Sequence, residues 1–145
     1  MISRVIEVQV YEEIVEGVSE HSFNFILENL PKIGRIKEIE IISSKHRLPP
    51  RTTIFGENGK IIAYGLNLGY RGTGTFYTRQ LLKRLFGKQL VEHIESIIDI
   101  ETQKIVEQRY LKDPIFWFVV NTTAFRLTIN EDGSIDSKYI SYVDD

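Results

Sequence analysis

Thr52-Thr53-Ile54-Phe55-Gly56-Glu57-Asn58-Gly59-Lys60-Ile61-Ile62-Ala63-Tyr64-Gly65-Leu66 is the stretch that decides the fold. Two β-like runs, Thr52 to Phe55 and Lys60 to Leu66, flank Asn58-Gly59, a pair suited to a two-residue turn with positive φ, so the segment reads as a hairpin. A glycine-rich loop, Gly69 to Gly74, comes next. Tyr77, Leu81, Leu82 and Leu85 then recur at helical spacing, with Gly87 placed to stop the helix. That makes a strand, loop, helix unit, and because the chain shows no regular βαβ alternation the class is α+β.

Working outward toward the amino terminus, Ser43 to Pro50 is polar, carries paired prolines and reads as a loop. Arg35 to Ile42 is β-like through Ile36, Ile39, Ile41 and Ile42. Ser19 is placed as the cap of a helix whose apolar face is Phe23, Ile26, Leu27 and Leu30, and Pro31 and Gly34 should end it. Before that, Ile6, Val8 and Val10 alternate with Glu7 and Gln9 as a strand. Toward the carboxyl terminus, Leu90, Val91, Ile94, Ile97 and Ile98 predict a second helix close behind the first, and Lys104 to Leu111 returns to β character. After Asp113-Pro114 come three expected strands. These are Ile115 to Val120, Thr123 to Ile129 and, beyond an Asp132-Gly133 turn, Ser134 to Val143. The expected architecture is a single domain over residues 1–145, with about eight strands in a mainly antiparallel or mixed sheet and about three helices.

Composition fits a folded, soluble chain, at 42% hydrophobic and 26% charged residues. With no cysteine there is no disulfide framework, zinc ribbon, iron–sulfur cluster or thiol nucleophile, and the absence suits a reducing compartment. No apolar run approaches the roughly 20 residues of a membrane span. The first ten residues lack the continuous apolar centre of a signal peptide, so the expected location is cytoplasmic, with no membrane partner.

The net charge of −2 hides an uneven arrangement. Between Ile41 and Val91 lie nine cations (Lys45, Arg47, Arg51, Lys60, Arg71, Arg79, Lys83, Arg84 and Lys88) against the single acid Glu57, a local balance of +8. The two flanks together carry −10. If the central third folds onto one face, it offers a positive field to an anionic ligand while the acidic flanks discourage long nucleic acid. The alternative is that the blocks intermix in three dimensions.

The chemistry-bearing segment is Gly69-Tyr70-Arg71-Gly72-Thr73-Gly74-Thr75-Phe76-Tyr77-Thr78-Arg79, inside the positive block. Glycines let successive N–H groups converge on phosphate oxygens, and the following helix points its positive dipole end at them. Thr73 and Thr75 add hydroxyls, Arg71 a planar fork, and Arg79 and Lys83 two further cations one helical turn apart. Tyr70, Phe76 and Tyr77 are placed to stack on a base. The segment is not a Walker motif, because Thr75-Phe76 follow Gly74 where that motif needs Lys and then Ser or Thr. Its G-x-x-G-x-G order is not the dinucleotide fingerprint either. The plainer reading is a turn that lets the helix pack closely on the sheet.

Catalytic machinery is sparse. His21, His46 and His93 lie far apart and form no metal-binding spacing, although His46, between Lys45 and Arg47, suggests either a phosphate contact or an exposed loop residue. Glu92, Glu95 and Asp99 share a helix face and suggest either a divalent cation or a solvated acidic surface. Phe116-Trp117-Phe118 reads as a two-sided core strand or, through Trp117, as an interface. Arg109, taken to lie on the preceding strand, and Arg126 on the next would extend the anion site if they point at the glycine loop. No catalytic residue, metal ligand or cofactor is assigned.

Gly69-Tyr70-Arg71-Gly72-Thr73-Gly74 followed by a helix resembles the G-Y-x-G-x-G-P element of small proteins of phages and mobile elements, with Thr75 in place of proline. With the chain length and the missing catalytic groups, the protein is similar to the Thoeris anti-defence protein 1 family of phage sponges. The resemblance implies an oligomer of α+β subunits that sequesters cyclic ADP-ribose type or cyclic oligonucleotide signals without cleaving them, with Tyr70 to Gly74 on phosphate. The expected function is therefore non-enzymatic binding of a small anionic, nucleotide-like ligand by a homo-oligomer. The binding residues are Tyr70, Arg71, Gly72, Thr73, Gly74, Thr75, Phe76, Arg79, Lys83 and Arg109. A nucleotide-processing phosphodiesterase and a protein-interaction inhibitor using the basic centre are the alternatives.

Overall fold

Alternation of apolar and polar residues builds a sheet with one covered face, and the helices supply the cover. The computed structural model describes residues 9–14, 18–44, 47–66, 73–109 and 122–142. In chain order the elements are β1 (Gln9–Glu12), α1 (Ser19–Ile33), β2 (Ile36–Ser44), β3 (Arg47–Gly56), β4 (Gly59–Ala63), α2 (Thr73–Phe86), α3 (Lys88–Arg109), β5 (Thr122–Ile129) and β6 (Ile135–Tyr142). The sheet order is β1-β4-β3-β2-β5-β6, antiparallel throughout except for the parallel pair β1–β4. The class is thus α+β, with a mixed sheet and, among the described residues, three helices.

Cross-strand register puts Ile39 beside both Leu127 and Ile54, Ile41 beside Phe125, Ile54 beside Ile61, and Phe125 beside Tyr139. These residues share one face and form a single buried cluster with Ile26 and Ile33 of α1, Leu81 and Leu82 of α2, and Val91 and Ile94 of α3. Fully burying one such aliphatic side chain contributes about 1.5–3 kcal/mol, so this face holds the domain together. The opposite face carries Glu38, Glu40, Arg51, Lys60, Arg126 and Lys138.

Several sequence expectations are corrected. Among the described residues there are six strands, not eight. Lys104 to Leu111 was expected to be β, but helix α3 continues through Arg109. No glycine or proline interrupts Lys88 to Arg109, and Glu101, Gln103, Lys104, Glu107 and Gln108 are good helix formers, so nothing stops the helix at Ile98. Arg109 accordingly lies on a helix and not on a strand. Of the expected loop Ser43 to Pro50, Ser43 and Ser44 belong to β2 and Arg47 to Pro50 to β3, with Ser44 paired to Arg47. Proline is tolerated there because Pro49 and Pro50 lie at a register shift, between the pairs Ser44–Arg47 and Ile42–Arg51.

Ser19 is the first helical residue of α1 and not its cap. Val18 holds that position without a side-chain cap, and the Ser19 hydroxyl instead donates to the carbonyl of Gly65 at 2.7 Å. Pro31 does not end α1, since proline removes one donor without forbidding helical φ, and the stop comes at Gly34 with φ 74°. Gly87 stops α2 as expected, with φ 94°. In β1 the covered face takes Tyr11, whose ring lies 5.3 Å below the Lys32 ammonium, while Val10 is 49% exposed. The expected strand Ile115 to Val120, the Phe116-Trp117-Phe118 cluster, Ile6, Val8 and His46 lie outside the described residues.

Candidate functional site

β1 and β4 are parallel neighbours, and each is followed by a helix that returns across the covered face: α1 after β1, α2 after β4. Both helices therefore start at the same edge of the sheet. The ring of Phe23, in the second turn of α1, lies 5.5 Å from that of Tyr77, in the second turn of α2, so the two helix starts are side by side. The chain leaving β4 stays at this edge. Gly65 accepts the Ser19 hydroxyl bond, Leu66 is fully buried, and a Cβ on Gly65 would come within 2.6 Å of Ser22 Oγ.

One carboxylate ties this edge together. Glu13 Oε1 accepts from Ser22 Oγ at 2.7 Å and from the Tyr64 N–H at 2.9 Å, linking the ends of β1 and β4 to α1. The Glu13 N–H continues the ladder to the Ile62 carbonyl at 2.9 Å. Next to it, Tyr64 donates its hydroxyl to Glu12 Oε1 at 2.9 Å. Partial burial first, then the bond and the charge of Glu12, raise the Tyr64 pKa above its ordinary value. Reading the sequence did not find Glu13, Ser19 or Ser22 as positioning residues. Glu13 sits in an unremarkable Tyr-Glu-Glu run, and only the pairing of β1 with β4 gives it a role.

Of the expected ligand residues, Tyr70, Arg71 and Gly72 lie outside the described residues. Thr73 is the first residue of α2, and Gly74 and Thr75 follow in its first turn. Thr78, fully buried, donates its hydroxyl back to the Gly74 carbonyl at 2.8 Å. Phe76 is 53% exposed and meets Tyr77 edge to face, with ring centroids 5.2 Å apart. Tyr77 packs against the core, so it is not an open stacking platform. Lys83 is exposed on α2. Arg79 forms an ion pair with Glu95 of α3, which brings a flank acid onto a cation expected to meet ligand.

The charge blocks do intermix. Arg51 and Lys60 lie on the sheet face opposite the described helices, whereas Arg79, Lys83, Arg84 and Lys88 lie on those helices, so these central cations do not share one face. Lys88 faces Glu92 at 3.7 Å. Glu92 and Glu95 are thus each set against a cation, and among the described residues no three metal-ligating side chains come together. Arg126 lies on the sheet face opposite the described helices, between Glu38 at 2.9 Å and Glu40 at 2.7 Å, and the Glu40 hydrogen bond, with both charges, raises its pKa further.

An open cleft of about 480 Å³ lies beside the end of β1 and the outer side of α1, lined by Glu12, Glu13, His21 and Glu28 with Ile14 and Phe25. Its acids disfavour an anion, so it is not the phosphate site expected from the sequence. Comparison with protein-family models, curated proteins and solved structures finds no match for this chain. No helix among the described residues is long and apolar enough to cross a membrane.

Proposed function

We propose that this protein binds a small phosphorylated, nucleotide-derived signalling molecule without turning it over, at the sheet edge where α1 and α2 begin. The carrying observation is the parallel β1–β4 pair, which starts two helices side by side at one edge. Sheets with parallel strands and returning helices bind ligands outside the carboxyl ends of those strands, where positive helix ends and unpaired N–H groups favour phosphate. Here the residue before α1, Val18, has no side-chain oxygen to offer the first N–H groups of the helix.

In this reading Tyr70 to Thr75 bring backbone and hydroxyl donors to phosphate, Arg71 and Lys83 neutralise charge, and Phe76 stacks on a base. Arg79 acts at one remove, since Glu95 holds it. The sponge role follows from the resemblance of the glycine loop to the Thoeris anti-defence family: a cytoplasmic homo-oligomer withdrawing cyclic ADP-ribose type or cyclic oligonucleotide signals from a defence pathway.

Native mass spectrometry against a panel of cyclic ADP-ribose isomers and cyclic oligonucleotides tests it. Binding of one intact ligand mass, its unchanged release on heating, and loss of binding in Arg71→Glu are expected. A product of altered mass makes the protein an enzyme, and no binding across the panel overturns the reading.

A further inference from the structure

The sheet ends at β6, whose outer edge no strand among the described residues covers. Exposed edges are commonly blunted by proline, bulges, short length or charged side chains. β6 has charge, Asp136 and Lys138, but none of the other three: it is eight residues long, contains no proline, and its register with β5 runs unshifted from Thr122–Tyr142 to Ile129–Ile135. The Asn130 N–H to Ser134 carbonyl bond, 2.8 Å, sets the phase of the ladder. Antiparallel pairs alternate, so Thr128–Asp136 and Arg126–Lys138 are the hydrogen-bonded pairs of β5 and β6. Ile135, Ser137 and Tyr139 therefore turn their main-chain groups outward.

Around Ser137 the strand reads Ile135-Asp136-Ser137-Lys138-Tyr139: apolar, acid, serine, base, apolar. Two copies laid antiparallel about Ser137 place Asp136 opposite the second copy's Lys138, and Ile135 opposite the second copy's Tyr139. The charged pairs fall at non-hydrogen-bonded positions, where side chains approach most closely.

Among the described residues these charges have no opposite-charge partner. Asp136 accepts from the neutral Asn130 side chain, at 3.0 Å, and Lys138 lies beside Arg126, which Glu38 and Glu40 already occupy. Neither forms an ion pair among the described residues. We propose that the chain forms a two-fold homodimer by antiparallel pairing of β6 edges about Ser137, joining two sheets into one. This inference is independent of the ligand reading.

Sedimentation equilibrium over a concentration series tests it with the full chain. The wild type should reach the dimer mass. Asp136→Lys and Lys138→Asp, each turning two attractive contacts into repulsive ones, should weaken dimerisation by about tenfold or more. An equimolar mixture of the two variants restores complementary charge across the two-fold axis and should re-form a dimer, as should the double variant alone, with circular dichroism confirming that every variant is folded. A wild type monomeric throughout, a dimer indifferent to either single reversal, or folded variants that do not recover on mixing would each overturn the proposal.

Discussion

The β3–β4 hairpin carries Asn58-Gly59 and the β5–β6 hairpin carries Asp132-Gly133, and pairs so alike in sequence end in different turns. At Asp132-Gly133 the turn is held from within. Gly133 N–H bonds the Asn130 carbonyl at 2.9 Å, Asp132 Oδ1 accepts from the Ser134 N–H at 2.9 Å and from its hydroxyl at 2.6 Å, and Gly133 takes φ 89°. This is a tight turn closed by a left-handed glycine. At Asn58-Gly59 the expected two-residue turn does not form, since Phe55 pairs with Lys60 and Gly59 lies inside β4 without positive φ. The turn donors go elsewhere: Glu57 N–H to the Arg35 carbonyl at 3.0 Å and Asn58 N–H to the Ile33 carbonyl at 2.8 Å. One turn satisfies its backbone locally. The other satisfies the carbonyls at the end of α1, so its geometry is set by a tertiary contact that no local motif encodes.

The largest expected effect breaks this contrast at its closest approach. A Cβ on Gly56 would overlap the Ile33 carbonyl and crowd the Ile33 side chain at 2.9 Å, both parts of a buried helix end with no room to retreat. Gly56→Ala should cost about 3 kcal/mol by overpacking. A Cβ on Gly133 meets nothing within 4 Å, so Gly133→Ala bears only the strain of its φ of 89°, about 1 kcal/mol. Urea unfolding of both variants checks the ratio. Equal losses would mean that the β3–β4 turn is not docked on α1.

How far the sequence could be read follows the same division between local and tertiary causes. The apolar period that marks α2, and Gly87 after it, depend only on neighbours in the chain, and both stand as expected. The β5–β6 strands around Asp132-Gly133 were legible for the same reason. What failed rested on partners distant in sequence. Ser19 reads as a cap until Gly65 arrives to accept its hydroxyl, and Arg79 reads as a free cation until α3 brings Glu95 beside it. The convergence of two helix starts was invisible as well, because it requires β1 to pair in parallel with β4 across some fifty residues of chain.

A smaller effect separates the turns by pH. The Ser134 hydroxyl and then its N–H hold the Asp132 carboxylate below its ordinary pKa. A carboxylate with a depressed folded pKa adds stability that is fully present above the unfolded value of about 3.9 and is lost as pH falls through the folded value. Wild type should therefore lose an increment of stability below about pH 4 that Asp132→Asn lacks, because the amide does not titrate. Thermal melts from neutral to acid pH measure it. Parallel curves for the two proteins would remove Asp132 from the account of that turn.

The smallest expected effect asks which part of the docked turn holds it. Glu57 offers two contacts to Arg35, the second residue past α1: its N–H bonds the Arg35 carbonyl, and its carboxylate lies 3.1 Å from Arg35 Nε. The ion pair is half-exposed on both sides, so solvent and salt screen it, whereas the main-chain bond sits among the carbonyls that end the helix. Glu57→Gln removes the charge and keeps the N–H, and should cost no more than about 0.5 kcal/mol, a difference that fades in high salt. Comparing urea midpoints at low and high salt tests this. If Glu57→Gln instead destabilised as much as Gly56→Ala, the turn would be held to α1 by its side chains, and the backbone origin of the contrast between the two hairpins would fail.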